Sequence, residues 1–239
     1  MAEPARYLIV NADDFGSSRG VDRGIVEAHE SGIVTSASLM VERPAAEEAA
    51  RYARRRRELG VGLHFELEAK PRRRLSRRWS RRTKLPSEDE LRRRAQAQLD
   101  RFRELMGEEP SHLDSHHHVH RREPARSVAI ELSEQTGVPL RELHPRIRFC
   151  GDFYGQLEGR PWPEGILPGT LVELLESLPA GITELGCHPG YADDLDTWYR
   201  KERAQEIVAL CDPEVRRTID RLGIELVTFR DVTSGRLGG

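Results

Sequence analysis

The chain is poor in cysteine, with only Cys150, Cys187 and Cys211 in 239 residues. Three scattered thiols exclude a disulfide framework and a cysteine-rich zinc site. No apolar run approaches the roughly 18 to 20 residues that a membrane helix needs, so no membrane insertion is expected. The opening "MAEPARYLIV" passes straight into a strand-like run, so no signal peptide is expected either, and the expected location is cytoplasmic. Aromatic residues make up 6% of the chain and do not interleave with the arginines, which argues against a nucleic-acid partner. Charge, by contrast, is abundant and unevenly spread. Residues 51 to 103 hold 19 of the 38 basic side chains against 7 acidic ones, within a net charge of −2, so the remainder of the chain is acidic. A solvated arginine face that pairs with this acidic remainder is the expectation.

Strand-length apolar runs alternate with longer segments of helical period, the pattern of parallel βα units. The stretches "YLIVNAD", "VTSASLMV", "GVGLHFEL", "SHLDSHHHVH", "GITELGCH" and "IELVTF" read as strands, with shorter candidates at "VPLRE" and "RIRFCGDFYGQ". Between the first two, "GVDRGIVEAHESG" places Val21, Ile25 and Ala28 on one helical face with Gly32 as the stop. An Ala-rich helix is expected from Pro44 to Leu59, and Ser87 with Glu90 predicts a capping box at the head of a helix ending at Gly107. Further helices are expected from Glu123 to Thr136 and in "GTLVELLESL", "DTWYRKERAQEIVALC" and "PEVRRTIDRLG". The stretch from Lys70 to Pro86 is basic and aperiodic, and it reads as an exposed insertion. With no internal repeat and no linker, the expectation is a single α/β domain: an irregular (β/α) barrel with six or seven parallel strands. The alternative is a doubly wound open sheet.

In such folds the carboxyl ends of the strands share one rim and carry the active site. Those ends hold Asp13, Asp14, His64, Asp114, His116 to His118 and His188. A lone strand histidine is ordinarily structural and an Asp pair ordinarily caps a helix. Several such residues converging on one rim point instead to a metal site. In "HLDSHHHVH", an extended strand would put His112, Asp114, His116, His118 and His120 on one face, about 6 to 7 Å apart, with His117 packed away. One ion cannot take them all, so one or two should bind metal while the rest orient ligands or touch substrate. The same alternation sends Asp13 and Asp14 in different directions, one to a cation and the other left free. An Asp-His-His set leaves coordination positions open. A cation that makes water acidic, beside a free carboxylate, is a hydrolytic pair.

The motifs "LIVNADDFGSSRGV", "GIVEAHESGIVTSASLMV", "VGLHFELEAKP", "HLDSHHHVH", "ELGCHPGYADD" and "YRKERAQEIVAL" occur in that order along nearly the whole chain. Together they resemble the YdjC-like carbohydrate deacetylase family, whose members include chitooligosaccharide deacetylases. The resemblance implies a distorted (β/α) barrel with one divalent ion, magnesium or zinc, that removes acetyl groups from N-acetylated sugars. It implies Asp14, His64 and His116 as metal ligands, Asp13 as the base and His188 in "CHPGY" as the acid. His118, Tyr191 and Arg203 are the candidates for binding a small-molecule carbohydrate, and a homodimer is left open.

Where family members often carry Asn and Thr after the strand-three histidine, this chain has Glu66 and Glu68. Trp79, Tyr154, Trp162, Tyr191 and Trp198 are candidate sugar platforms, and Arg72 to Arg82 a candidate lid for an anionic acetylated sugar. Two other functions compete: a different metallohydrolase such as a phosphoesterase, with the arginines binding phosphate, and a non-catalytic metal- or sugar-binding protein. Asp13 discriminates against the last, because a binding protein has no need of a free carboxylate beside the water.

Overall fold

The computed structural model describes residues 5–68, 85–191, 193–195 and 197–237. The basic insertion at about 70–86 therefore lies almost wholly outside the described residues, as do Trp79 and the Arg72 to Arg82 lid. The strands are β1 (Arg6–Phe15), β2 (Ser36–Leu39), β3 (Gly60–Phe65), β4 (Leu113–Ser115), β5 (Ile147–Cys150), β6 (Gln156–Leu157), β7 (Arg160–Pro161), β8 (Gly181–Cys187) and β9 (Ile224–Leu226). The helices are α1 (Arg19–Glu30), α2 (Ala46–Ala53), α3 (Glu88–Met106), α4 (Ala125–Thr136), α5 (Pro168–Ser177), α6 (Lys201–Leu210), α7 (Pro213–Arg221) and α8 (Phe229–Thr233).

Seven strands form one parallel sheet in the order β4-β3-β2-β1-β8-β5, with β9 on the β2 side of β1, along its first residues. The short β6 and β7 form a separate antiparallel hairpin. The sheet curls into a half-barrel, the form that the expected irregular barrel of parallel strands takes here. Its central strands read as continuous apolar runs because both faces are covered. Leu8, Val10 and Ala12 of β1 pack in one core with Val21, Ile25 and Ala28 of α1. Helix starts follow local chemistry. Ser18 Oγ accepts from Val21 N, Ser87 Oγ accepts from Glu90 N, and Gly107 ends α3 with a left-handed φ of 74°.

Between β4 and β5 the sheet is completed by one backbone bridge and by side chains. Leu140 makes a single parallel bridge to Leu113, which is all that forms of the strand expected at "VPLRE". Phe149 of β5 then reaches across, its ring 4.9 Å from the Arg141 guanidinium carbon and 5.4 Å from the His118 ring.

Several elements are shorter than the sequence pattern suggests, among them α2, expected from Pro44 to Leu59 but formed only over Ala46–Ala53, and three of them have a clear local cause. Strand β4 stops at Ser115 and continues as a 3-10 turn, His116–Arg121, in which His117 and His118 have left-handed φ values of 55° and 51°. The cause is local. Ser115 Oγ accepts the His120 backbone N–H at 2.9 Å and bonds its ring Nδ1 at 2.7 Å, offering the backbone an alternative to the ladder. Strand β9 stops at Leu226 because Thr228 and Asp231 form a capping box for α8. Helix α6 begins only at Lys201, after Tyr199 turns inward to stack on Tyr154.

Candidate active site

At the end of β1 the pairing with β2 shifts register between Ala12 and Phe15, and Asp14 takes a left-handed φ of 69°. This bulge corrects the expectation from strand alternation: an irregular residue re-aims its neighbours. Asp13 and Asp14 both face one cluster of site residues, and each is nearly inaccessible, at 4% and 3% exposure. Their partners differ. Asp14 Oδ1 lies 3.1 Å from His116 Nδ1 and 3.5 Å from His64 Nε2, while its Oδ2 is paired with Arg203. Contrary to the expectation of a free carboxylate, Asp13 is engaged through both oxygens. It accepts from Arg141 Nη1 at 2.8 Å, Arg141 Nη2 at 2.7 Å and Asn11 Nδ2 at 3.0 Å. His188 Nε2 lies 3.8 Å from Asp13 Oδ2.

The parallel register of β3 and β4 sets His64 beside Asp114, and His64 Nδ1 bonds Asp114 Oδ1 at 2.8 Å. That fixes the ring and leaves Nε2 directed at Asp14, the arrangement of a metal-ligating histidine oriented by a carboxylate. Arg141, fully buried, is the central cation. It pairs with Asp13, with Asp114 at 2.9 Å and with Glu184 at 2.7 Å. Burial would raise the Asp13 and Asp14 carboxyls, but Arg141 holds the first below the ordinary range, and Arg203 with His116 holds the second well below it. Burial opposes charge on His64, yet Asp114, Asp13 and Asp14 push it up to about 9. Burial pulls His188 down to about 4 despite the two acids beside it. Glu184 and Glu206, buried in the same region, are each pushed up to about 7.

The donor chemistry fits a divalent ion at Asp14, His64 and His116. One ligand atom from each lies within 4.8 Å of the others, and Asp14 Oδ1 is a buried oxygen with no hydrogen-bond partner. Asp13, His64 and Asp114 also come within that range, but Arg141 already neutralises both carboxylates.

The remaining expected site residues fall around this centre. Arg203 Nη1 donates to the His188 carbonyl at 3.2 Å while its Nη2 holds Asp14, so its guanidinium is engaged with the site itself. His118 turns toward Glu142, at 3.2 Å. Tyr191 is exposed, and its hydroxyl donates to Glu27 at 2.7 Å. Tyr154, half-buried, sets its ring 5.3 Å from that of His188, whereas Trp198 is exposed. His117 is not packed away: its ring lies 3.7 Å from that of His116 and its Nδ1 bonds Glu68 at 3.0 Å. Glu68, at one of the two positions where the family motif often differs, thus supports the histidine turn. Arg141, Glu184 and Glu206 went unrecognised in the sequence. A charged residue inside the apolar strand "GITELGC" was the available signal, since a buried Glu there requires a cation nearby.

An α/β half-barrel with a candidate metal centre on its rim is the class these features define. The chain belongs to the YdjC-like protein family, whose model matches residues 7–221. It is 36% identical to a carbohydrate deacetylase of Geobacillus stearothermophilus, over 95% of this chain and 98% of that one. It is 32% identical to a chitooligosaccharide deacetylase of Salmonella paratyphi B, over 95% and 99% of the two chains. A crystal structure from Enterococcus faecalis V583, of a protein proposed to cleave cellobiose-phosphate, superposes with a TM-score of 0.80 at 26% identity, covering 95% of this chain and 99% of that one. Among the described residues no helix is long and apolar enough to cross a membrane.

Proposed function

We propose that the protein is a hydrolase that removes acetyl groups from N-acetylated sugars of the chitooligosaccharide type, with one divalent ion at Asp14, His64 and His116. The observation that carries this reading is the β1 bulge, which turns adjacent carboxylates into one cluster with different partners. Asp14 leaves an unpartnered oxygen beside two imidazoles, while Asp13 is gripped by Arg141 and Asn11. The deacetylase names of relatives matched along nearly their whole length support it. One carboxylate oxygen and two imidazoles suit zinc by ligand type, and magnesium is the other candidate.

A divalent ion held there supplies Lewis acidity toward the acetyl carbonyl and toward water. Asp13 is the base. Arg141 and Asn11 lock its carboxylate, so Oδ2 accepts the proton of the attacking water without rotating. As the water oxygen bonds to the carbonyl carbon and the C–N bond breaks, acetate leaves and the sugar nitrogen needs a proton. His188 gives it. Burial keeps that ring neutral at rest, so the proton it donates is the one passed from Asp13 Oδ2, 3.8 Å from Nε2. Tyr154, beside His188, is positioned to face the sugar ring.

The test is acetate release from a panel of N-acetylated mono- and oligosaccharides, before and after chelation and with zinc or magnesium restored. Release that falls on chelation and returns with metal is expected. Release indifferent to chelation, or none from any N-acetylated sugar, contradicts the reading.

A further inference from the structure

We propose a second divalent-cation site, formed by His118 Nδ1, His120 Nε2 and Glu142 Oε1 and sharing no residue with the Asp14, His64 and His116 cluster. One ligand atom from each of the three lies within 4.8 Å of the others, and His118 Nδ1 is 3.2 Å from Glu142 Oε1. That spacing is close to the ~3.4 Å between donors of a tetrahedral centre with bonds of about 2.1 Å. All three atoms are buried, and beyond the 3.2 Å approach of His118 Nδ1 to Glu142 Oε1 they have no hydrogen-bond partner. Orphaned polar atoms inside a protein are costly and rare. An orphaned His120 Nε2 converging with the His118 and Glu142 pair on one point is best explained by a cation that all three ligate.

The surroundings orient the donors as an outer shell does. His120 is fully buried, and Ser115 Oγ engages its Nδ1 at 2.7 Å, which leaves Nε2 directed into the cluster. The second oxygen of Glu142 is held by Arg121 Nε at 3.1 Å. His118 and Glu142 both adopt left-handed φ values, 51° and 64°. Non-glycine residues hold that conformation only where other contacts outweigh the strain. The two segments that carry the donors, the 3-10 turn and the stretch after Leu140, are joined by no strand beyond one bridge. A shared ion fastens them together. The side chains of His118 and Glu142 are 33% and 19% exposed, which leaves a face open to water as a further ligand. Two imidazoles with one carboxylate select zinc or a neighbouring late first-row ion over magnesium.

The position says what the ion does. His118 follows the proposed ligand His116 by two residues, and Glu142 adjoins Arg141, which grips Asp13. An ion here pins the carriers of both groups, so its role is positioning rather than chemistry.

The experiment is a titration of metal-stripped protein with zinc, following stoichiometry by calorimetry and elemental analysis, and with cobalt, following its visible absorption. Wild type, H64A/H116A, H118A/E142Q and E142Q alone are compared, with circular dichroism to confirm folding. Two ions are expected in wild type and one in each double variant. E142Q, the mildest change, should weaken one of the two sites by at least about 100-fold, beyond the 10- to 100-fold cost of losing an outer-shell partner. A folded H64A/H116A protein that binds no ion overturns the second site and leaves the first intact. An E142Q protein that binds two ions as wild type does overturns it as well. A single wild-type ion lost in H118A/E142Q but kept in H64A/H116A supports this site and removes the other.

Discussion

Replacing Arg141 with Met tests whether one buried guanidinium organises the site. Its side chain is fully inaccessible and holds Asp13, Asp114 and Glu184 at 2.7 to 2.9 Å. Removing one partner of a buried ion pair costs about 3–5 kcal/mol because the other charge is left uncompensated. Three carboxylates do not triple that figure. Glu184 is already pushed up to about 7 and takes up a proton readily, and Asp114 keeps His64 at 2.8 Å. A total of about 3–5 kcal/mol, at roughly 2–4 °C per kcal/mol for a chain of this size, lowers the melting midpoint by about 6–20 °C. The sign of the pH effect follows from linkage. Without the arginine, Asp13 and Glu184 have higher folded-state pKa values, so the variant gains stability relative to wild type as pH falls and they are protonated. Thermal unfolding by circular dichroism, in chelator, at pH 7.5 and 5.5, is the assay. Arg141→Lys should recover part of the loss. A Met variant melting within about 2 °C of wild type at both pH values refutes the argument.

Two further outcomes are expected. His64→Ala and His116→Ala should each lose one equivalent of bound divalent ion relative to wild type by elemental analysis, and unchanged content in both contradicts the ligand assignment. Burial, with Glu48 and Asp194 nearby, pushes Asp22 from 3.8 to about 7 although Gly16 N donates to it at 2.6 Å. Because its folded pKa is raised, the stability it contributes is present below about 3.8 and lost as pH rises toward 7, by at most about 4 kcal/mol. Asp22→Asn should remove that decline, measured as the difference in denaturant midpoints at pH 4.5 and pH 8. A difference equal to that of wild type counts against the buried-acid account.

The parallel α/β architecture was legible because periods of 2 and 3.6 alternate clearly, and because caps such as Ser87 and stops such as Gly107 are local. The rim residues Asp13, Asp14, His64, His116 and His188 were legible for the same reason: each ends a strand-like run. What misled was strand alternation applied past the point where a strand ends. The bulge at Asp14 and the Ser115–His120 hydrogen bonds are short-range features that no apolar pattern encodes, and they reverse which side chains meet. Arg141 was hidden for another reason. Its partners lie 27 to 128 residues away, so only the fold shows that "VPLRE" delivers a cation to Asp13.

Asp13→Asn is the most direct test of the central claim, that Asp13 is a base beside an Asp14, His64 and His116 metal centre. The amide keeps the size of the carboxylate but cannot take the water proton. One preparation should be assayed for acetate release from an N-acetylated chitooligosaccharide and for bound metal. Metal content equal to wild type with kcat lower by about 100-fold or more is predicted, the loss expected for general-base catalysis. Turnover near that of wild type with the metal in place contradicts the account.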